Sequence, residues 1–169
     1  MKMKNLFLSL IIMTIFSNCR DHYEKVSIGK NVLIDIPTDF VLEQNSSDNE
    51  NIFKYKSDKE ELYINTQTIG GLDTLSIDRK AEIAKKNING FAKAVNGENI
   101  LLESISGKDD FFKRNFSMET KKNNSPMTVF GTVITQNSSF VFLVYITEKS
   151  ASKASLKAKD KILNSIKID

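Results

Sequence analysis

The chain of 169 residues has one cysteine, Cys19, and one histidine, His22. A single thiol excludes any intramolecular disulfide. A single imidazole near the start of the chain excludes a Ser-His-Asp or Cys-His nucleophilic site inside the domain, and the two counts together exclude a zinc site of several imidazoles and thiolates. Charge of one sign is also lacking: 24 basic residues stand against 21 acidic ones, dispersed among each other. Nucleic-acid binding leaves a clustered basic surface, which this dispersal argues against. Gly70-Gly71 lacks the following lysine of a phosphate-binding loop. Asp48, Glu50, Asp58, Glu60 and Glu61 match no EF-hand spacing and read as a solvated hairpin edge, so no metal is expected. Asp109 and Asp110, adjacent on a strand, would point to opposite faces and read instead as a turn after Gly107. Long apolar runs are scarce too. The run from Leu6 to Phe16 is well short of the roughly 20 residues a membrane-spanning helix needs.

What is there begins with that run. Lys2 and Lys4 precede it and Ser17-Asn18-Cys19 follows it, the layout of a secretory signal peptide. The ending resembles the lipobox of bacterial lipoproteins, with Asn18 and Phe16 standing where a small residue and a leucine are usual. The resemblance implies cleavage before Cys19, a covalent diacylglycerol and an N-acyl chain on that residue, and no other cofactor. It divides the chain into a signal peptide at 1–18, a lipidated tether at 19–25 and one domain at 26–169. Anchoring physics agrees: a buried methylene is worth about 0.8 kcal/mol and one acyl chain holds only marginally, so two or three chains on one cysteine are needed for stable attachment. Acylation would also remove the liability of a free thiol in an oxidising compartment. The alternative is an ordinary secreted protein cut elsewhere, with Cys19 incidental. Arg20, rather than aspartate, follows the cysteine, so the expectation is the outer membrane in preference to the inner, with either leaflet open.

Past the tether the pattern is mainly that of strands. Val32, Ile34 and Ile36 alternate on one face of a strand that Pro37 ends. Phe40-Val41-Leu42 resumes an extended run before the polar loop from Gln44 to Asn51. Ile52 to Lys56 and Glu61 to Gln67 read as a hairpin. The period then changes: Ile77, Ala81, Ala84, Ile88, Phe91 and Val95 form one helical stripe, with Arg79, Lys80, Glu82, Lys85, Lys86 and Lys93 facing elsewhere. Ser76 or Asp73 can cap its start and Gly97 lies just beyond its end. Ile100 to Ile105, Phe111 to Met118, Met127 to Ile134 and Phe140 to Ile146 follow as strands, the last two joined by the turn Gln136 to Ser139. The run from Phe140 to Ile146 is apolar throughout, as a central strand covered on both faces would be. Ala151, Ala154, Ala158, Ile162 and Ile166 mark a C-terminal helix.

The opening Ile34-Asp35-Ile36-Pro37-x-x-Phe40, the mid-chain helix and the final strand leading directly into a helix resemble PsbP-like domains and the related DcrB-like bacterial lipoproteins. The resemblance spans most of 26–169 and implies an α+β fold, an antiparallel β-sheet between two main helices in an α/β/α sandwich. It also implies an adaptor, chaperone-like or assembly role without catalysis.

Two clusters are candidates for a partner-binding surface. Phe112, Arg114 and Phe116 share one strand face, where core packing with a snorkelling arginine is the competing account. Tyr55 and Tyr63, with Phe53, could line a groove at the hairpin, or lie under a helix. The expectation is therefore a non-catalytic, membrane-anchored envelope lipoprotein that binds an envelope or secreted protein partner and no nucleic acid. The alternatives are an immunity-type lipoprotein neutralising a toxin, a carrier of a small apolar ligand, and an enzyme working through carboxylates or a bound metal. A pocket between sheet and helices would favour the carrier, and a filled sandwich a surface-binding role.

Overall fold

The computed structural model describes residues 22–29, 31–45, 52–108 and 110–168. The leader with Cys19, the acidic positions Asp48 and Glu50, and Asp109 lie outside the described residues.

Alternating burial builds the first unit. In β1 (Tyr23–Ile28) and β2 (Val32–Pro37), Val26, Ile28, Val32, Ile34 and Ile36 face inward, and the two strands pair antiparallel from Tyr23 opposite Pro37 to Ile28 opposite Val32. Three residues expected in the tether, Tyr23 to Lys25, are thus strand residues, because their backbone groups find a partner in β2. The chain's last described strand, β11 (Lys167–Ile168), pairs with the other edge of β2 and completes a three-stranded sheet for which the sequence pattern gives no sign.

The larger sheet is antiparallel and eight-stranded. It contains β3 (Val41–Asn45), β4 (Ile52–Lys56), β5 (Glu61–Thr68), β6 (Glu98–Leu102), β7 (Ser106–Lys108), β8 (Phe111–Lys122), β9 (Ser125–Gln136) and β10 (Ser139–Glu148). Its order is β3-β4-β5-β10-β9-β8-β6, with β7 paired to β8 beside β6. β10 therefore lies in the middle of the sheet, as its unbroken apolar run predicts. β8, β9 and β10 form a meander, and Asn123 and Asn124, both at positive φ (50° and 64°), make the tight turn between the first two. Asparagine tolerates that left-handed region, whose twist matches the flanking strands. The strand expected at Ile100 to Ile105 is shorter: β6 ends at Leu102, and its Ile100 and Leu101 are exposed at the sheet's edge.

Helix α1 (Ile77–Ala94) starts at Ser76, whose hydroxyl accepts from the Arg79 amide, and ends in a left-handed Asn96. The Gly97 amide donates back to the Ala92 carbonyl (2.7 Å) and the Asn96 amide to that of Lys93 (3.4 Å), a Schellman closure. Gly97 is required there for space: a Cβ would sit 2.6 Å from the Met118 sulfur and 3.3 Å from Ala92 Cα. The most buried line of α1 is Lys80, Ala84, Ile88 and Ala92. This corrects the expectation that Lys80 faces solvent; the helix is turned slightly, so that the stem of Lys80 takes the place of one apolar residue and Phe91 moves to the flank.

Helix α2 (Lys153–Ser165) is capped by Ser152, which accepts from the Ser155 amide, and buries Ser155, Ala158, Ile162 and Leu163. Lys113 holds its far end, donating to the Leu163 carbonyl (3.2 Å) and to Asn164 Oδ1 (3.3 Å), a cation at the negative end of the helix. Burial pushes the Lys113 ammonium below its ordinary range, against the opposing pull of Glu103.

Two cores result, one on each face of the large sheet. α2 and the small sheet close one face around Phe40, Leu62, Ile64, Leu143 and Tyr145. α1 covers the other around Phe112, Phe116, Val129, Val133 and Val144.

Candidate functional site

Cover on the α1 side is incomplete. α1 lies towards β8, at one end of the strand order, and β4 and β5 stand away from it. Between them runs a groove of about 650 Å³. Ile83, Lys86, Asn87, Gly90 and Phe91 form its helical wall, Ile52, Tyr63 and Asn65 its strand wall, and Phe142 its floor. The volume lies in the range of sites that hold small molecules or an inserted side-chain cluster.

An aromatic line ties this groove to the core. Phe91 and Phe142 have ring centroids 5.7 Å apart, tilted at 56°, and Phe142 stacks on Phe116 at 5.6 Å and 23°. Phe116 in turn lies across Gly131, its cross-strand partner in β9; any Cβ at that position would collide with the ring. Such aromatic pairs contribute about 0.5–1.5 kcal/mol each beyond their buried area. The floor is thereby held rigid by the packed core behind it.

Polar groups gather where Tyr63 meets its neighbours. The Tyr63 hydroxyl donates to Glu61 Oε2 at 2.7 Å, Lys122 pairs with Glu61 Oε1, and the Lys54 ammonium lies 5.4 Å from the Tyr63 ring centre and 3.0 Å from Glu43. Burial works to raise the Glu61 carboxyl, but the bonds from Lys122 and Tyr63 outweigh it and hold the group below the ordinary carboxylate range. Burial and the Glu61 carboxylate push the Tyr63 phenol up. Glu60 and Glu61, expected on a solvated edge, are both buried; the Ser57 hydroxyl donates to Glu60 Oε2 at 2.7 Å. Lys122, from the end of β8, covers Glu61, and Glu60 turns back onto Ser57, while Asp58 and Lys59 at the tip of the turn stay exposed.

Of the expected surface residues, only Tyr63 reaches the groove. Tyr55 is buried on the opposite face of the sheet, since it pairs across from Leu62 while Tyr63 pairs across from Lys54, one step out of phase. Phe53 accompanies Tyr55. Phe112 and Phe116 are buried under α1, so the core account applies to them and they present no surface. Arg114 shares their face and donates from Nε to the Glu103 carbonyl (3.3 Å). Phe91, Phe142 and Ile83 carry no such signal in the sequence. Phe91 falls on the helix's apolar stripe and Phe142 in an all-apolar strand, and nothing in either pattern marks the place where cover stops. Among the described residues no group of three His, Cys, Asp or Glu side chains is placed to hold a metal ion, and no helix is long and apolar enough to cross a membrane.

No protein-family model matches the sequence, and neither does any curated protein. Solved structures do. Cyanobacterial PsbP (CyanoP) from Synechocystis sp. PCC 6803 superposes with a TM-score of 0.63 at 10% identity, over 87% of this chain and 92% of that one. The fold is PsbP-like. LpqN of Mycobacterium tuberculosis, a protein involved in cell envelope biogenesis, superposes on this chain with a TM-score of 0.54 at 14% identity, over 94% of this chain and 96% of that one. A Bacteroides thetaiotaomicron protein matches at a TM-score of 0.58 and 9% identity; 86% of this chain is covered, but it spans only 48% of that longer chain. Each of these structures shares few side chains with this chain, so the groove has to be read from the residues of this one.

Proposed function

We propose that this chain is a non-catalytic lipoprotein of the cell envelope, anchored through Cys19, and that the groove between α1 and β5 binds an apolar segment of a protein partner. The observation that carries the binding role is the groove itself, where Tyr63, Phe91 and Phe142 stay partly exposed on a rigid floor. Half-exposed aromatics in a preformed depression are the usual anchors of an interface. Lys86, Asn65 and Asn87 on its walls supply polar contacts to a bound backbone. The envelope setting is supported by the leader's layout and by the role stated for LpqN. Arg20 after the cysteine favours the outer membrane.

The test uses a photo-crosslinking residue introduced at Asn87 in the groove wall, and at Lys157 on α2 as control, in cells expressing the full chain. A discrete protein adduct from Asn87, absent from Lys157 and lost on Phe91→Ala, is expected. A groove that yields no adduct but carries a lipid or other small apolar molecule by native mass spectrometry would replace this reading with the carrier one, which the groove's volume also accommodates. The anchor is tested separately: Cys19→Ser is expected to release the protein from membranes, and unchanged partitioning would remove the lipoprotein reading.

A further inference from the structure

The groove and the start of the domain lie on opposite faces of the large sheet. His22, the first described residue, leads directly into β1, and its carbonyl accepts from the Thr38 amide at 3.1 Å. β1 belongs to the layer that α2 and the small sheet make on the side away from α1. An extended chain covers at most ~3.6 Å per residue, so Cys19 lies within roughly 11 Å of His22, whatever path connects them.

Within that outer layer the helix is basic, while Glu24 and Asp35 lie in its small sheet. Between Lys153 and Lys167 the chain has five lysines and one acidic residue, Asp160. Asp160 pairs with Lys159 at 2.5 Å, and Lys159 is folded over the Phe130 ring, 4.6 Å from its centre. Lys153, Lys157 and Lys161 follow at four-residue steps along the exposed side of α2, and Lys167 continues in β11. The Lys161 ammonium stands 3.6 Å from the centre of the Tyr23 ring, so the basic stripe meets the chain at the beginning of β1. Lys25, exposed in the same strand, stands directly across from Asp35 and adds no net charge, and Leu42, 46% exposed, lies on this face beside Tyr55. α1 also has exposed lysines, so charge alone does not choose between the two helices. The position of His22 does: it leads into the layer on the α2 side, where Tyr23 meets Lys161.

We infer that the protein lies on the membrane with its α2–β1 layer against anionic phospholipid headgroups, which turns the α1 groove away from the bilayer. The inference rests on the reading of Cys19 as the lipid attachment site, and adds an orientation to it. An anionic surface attracts basic residues within about one Debye length, ~8 Å at physiological salt, each strengthening binding about fivefold. Lys153, Lys157 and Lys161 come within that distance when α2 lies flat on a surface to which Cys19 is fixed.

Lysine acylation by a water-soluble reagent, read by mass spectrometry, tests the orientation on the full lipidated chain in vesicles of phosphatidylethanolamine and phosphatidylglycerol. Labelling of Lys157 and Lys161 is expected to fall severalfold relative to the detergent-solubilised protein. Lys85, Lys86 and Lys93 of α1 serve as internal standards and should react unchanged. Protection should weaken in phosphatidylcholine vesicles and at high salt. Equal labelling of both helices in protein that floats with the vesicles overturns the orientation and leaves the anchor intact. Failure to float, shared with Cys19→Ser, overturns the anchor and the orientation together.

Discussion

Leu143 and Phe142 are neighbours in β10 and point to opposite sides of the same sheet. Leu143 is completely buried, while Phe142 stays partly exposed at the bottom of a groove. The difference comes from what lies over them. On the Leu143 side, α2 and a three-stranded sheet share the work of cover, and Tyr145 extends the seal, its ring tilted at 33° to that of Phe40 (centroids 6.3 Å apart) and its hydroxyl donating to the Ser155 carbonyl (3.2 Å). On the Phe142 side one helix covers a sheet of eight strands, and one helix, about 10 Å across, is too narrow for that width. Strands near β8 are sealed and those near β4 are not. The face with the least material over it is therefore the one able to bind something else.

The largest expected effect tests the sealed face. Leu143→Ala should cost about 3 kcal/mol, the sum of lost transfer energy and a cavity that neither α2 nor the small sheet can collapse into. Phe142→Ala should cost about half as much, because part of the ring already contacts solvent. Urea denaturation measures both; equal losses would mean that the two faces are closed to the same degree.

Gly131→Ala comes next, at about 2 kcal/mol. Its new methyl would meet the Phe116 ring on one side and the Leu143 carbonyl oxygen on another, and overpacking of this kind costs typically 1–3 kcal/mol. Displacing Phe116 also disturbs Phe142, so the variant should weaken the partner adduct at Asn87 although residue 131 is out of the partner's reach. An undiminished adduct at reduced stability would show that the groove floor does not depend on the core behind it.

How much of this was legible in the sequence follows from the same contrast. Elements with a clean period were readable: the stripe of α1, the alternation of β2 and the apolar run of β10 each reflect a local rule. The α+β sandwich follows from their order. What was missed depends on contacts far apart in the chain. β11 has two residues and no period of its own; it exists because α2 delivers Lys167 and Ile168 to the free edge of β2. Lys80 reads as surface in any hydropathy pattern, and its burial depends on how far α1 turns. Glu61 reads as solvated until Lys122, from the far end of β8, is folded onto it. The groove is half legible: the hairpin pattern offers Tyr63 as a groove residue or as one under a helix. Phe91 and Phe142 carry no such mark, because exposure at a sheet's margin is a matter of helix placement.

Acid sharpens the comparison further. The folded-state carboxyl of Glu61 is depressed by Lys122 and Tyr63 despite burial. Its stabilisation is present above the unfolded carboxylate range near 4.3 and is lost as pH falls through the lower folded value. Glu61→Gln should thus cost at most about 2 kcal/mol at neutral pH, Lys122 being half exposed to solvent. The gap between variant and wild type should close below about pH 4. A gap constant with pH would mean that the carboxylate is not what Lys122 holds.

The smallest effect separates the ring of Tyr63 from its hydroxyl. Tyr63→Phe removes the 2.7 Å bond to Glu61 Oε2 and leaves the aromatic wall of the groove in place. A hydrogen bond to a charged group is worth more than a neutral one, but Glu61 keeps its Lys122 partner, so the cost should be about 1 kcal/mol. With one of its two supports gone, the Glu61 carboxyl should titrate closer to the ordinary range, and acid should act on the variant at a higher pH than on the wild type. Partner capture should persist in Tyr63→Phe and fail in Tyr63→Ala, because an interface anchored by the ring needs its surface and not its proton. If Phe and Ala abolish the adduct alike, the hydroxyl rather than the ring is the recognition element, and the groove is then a polar site whose ligand is met at the Tyr63–Glu61 pair.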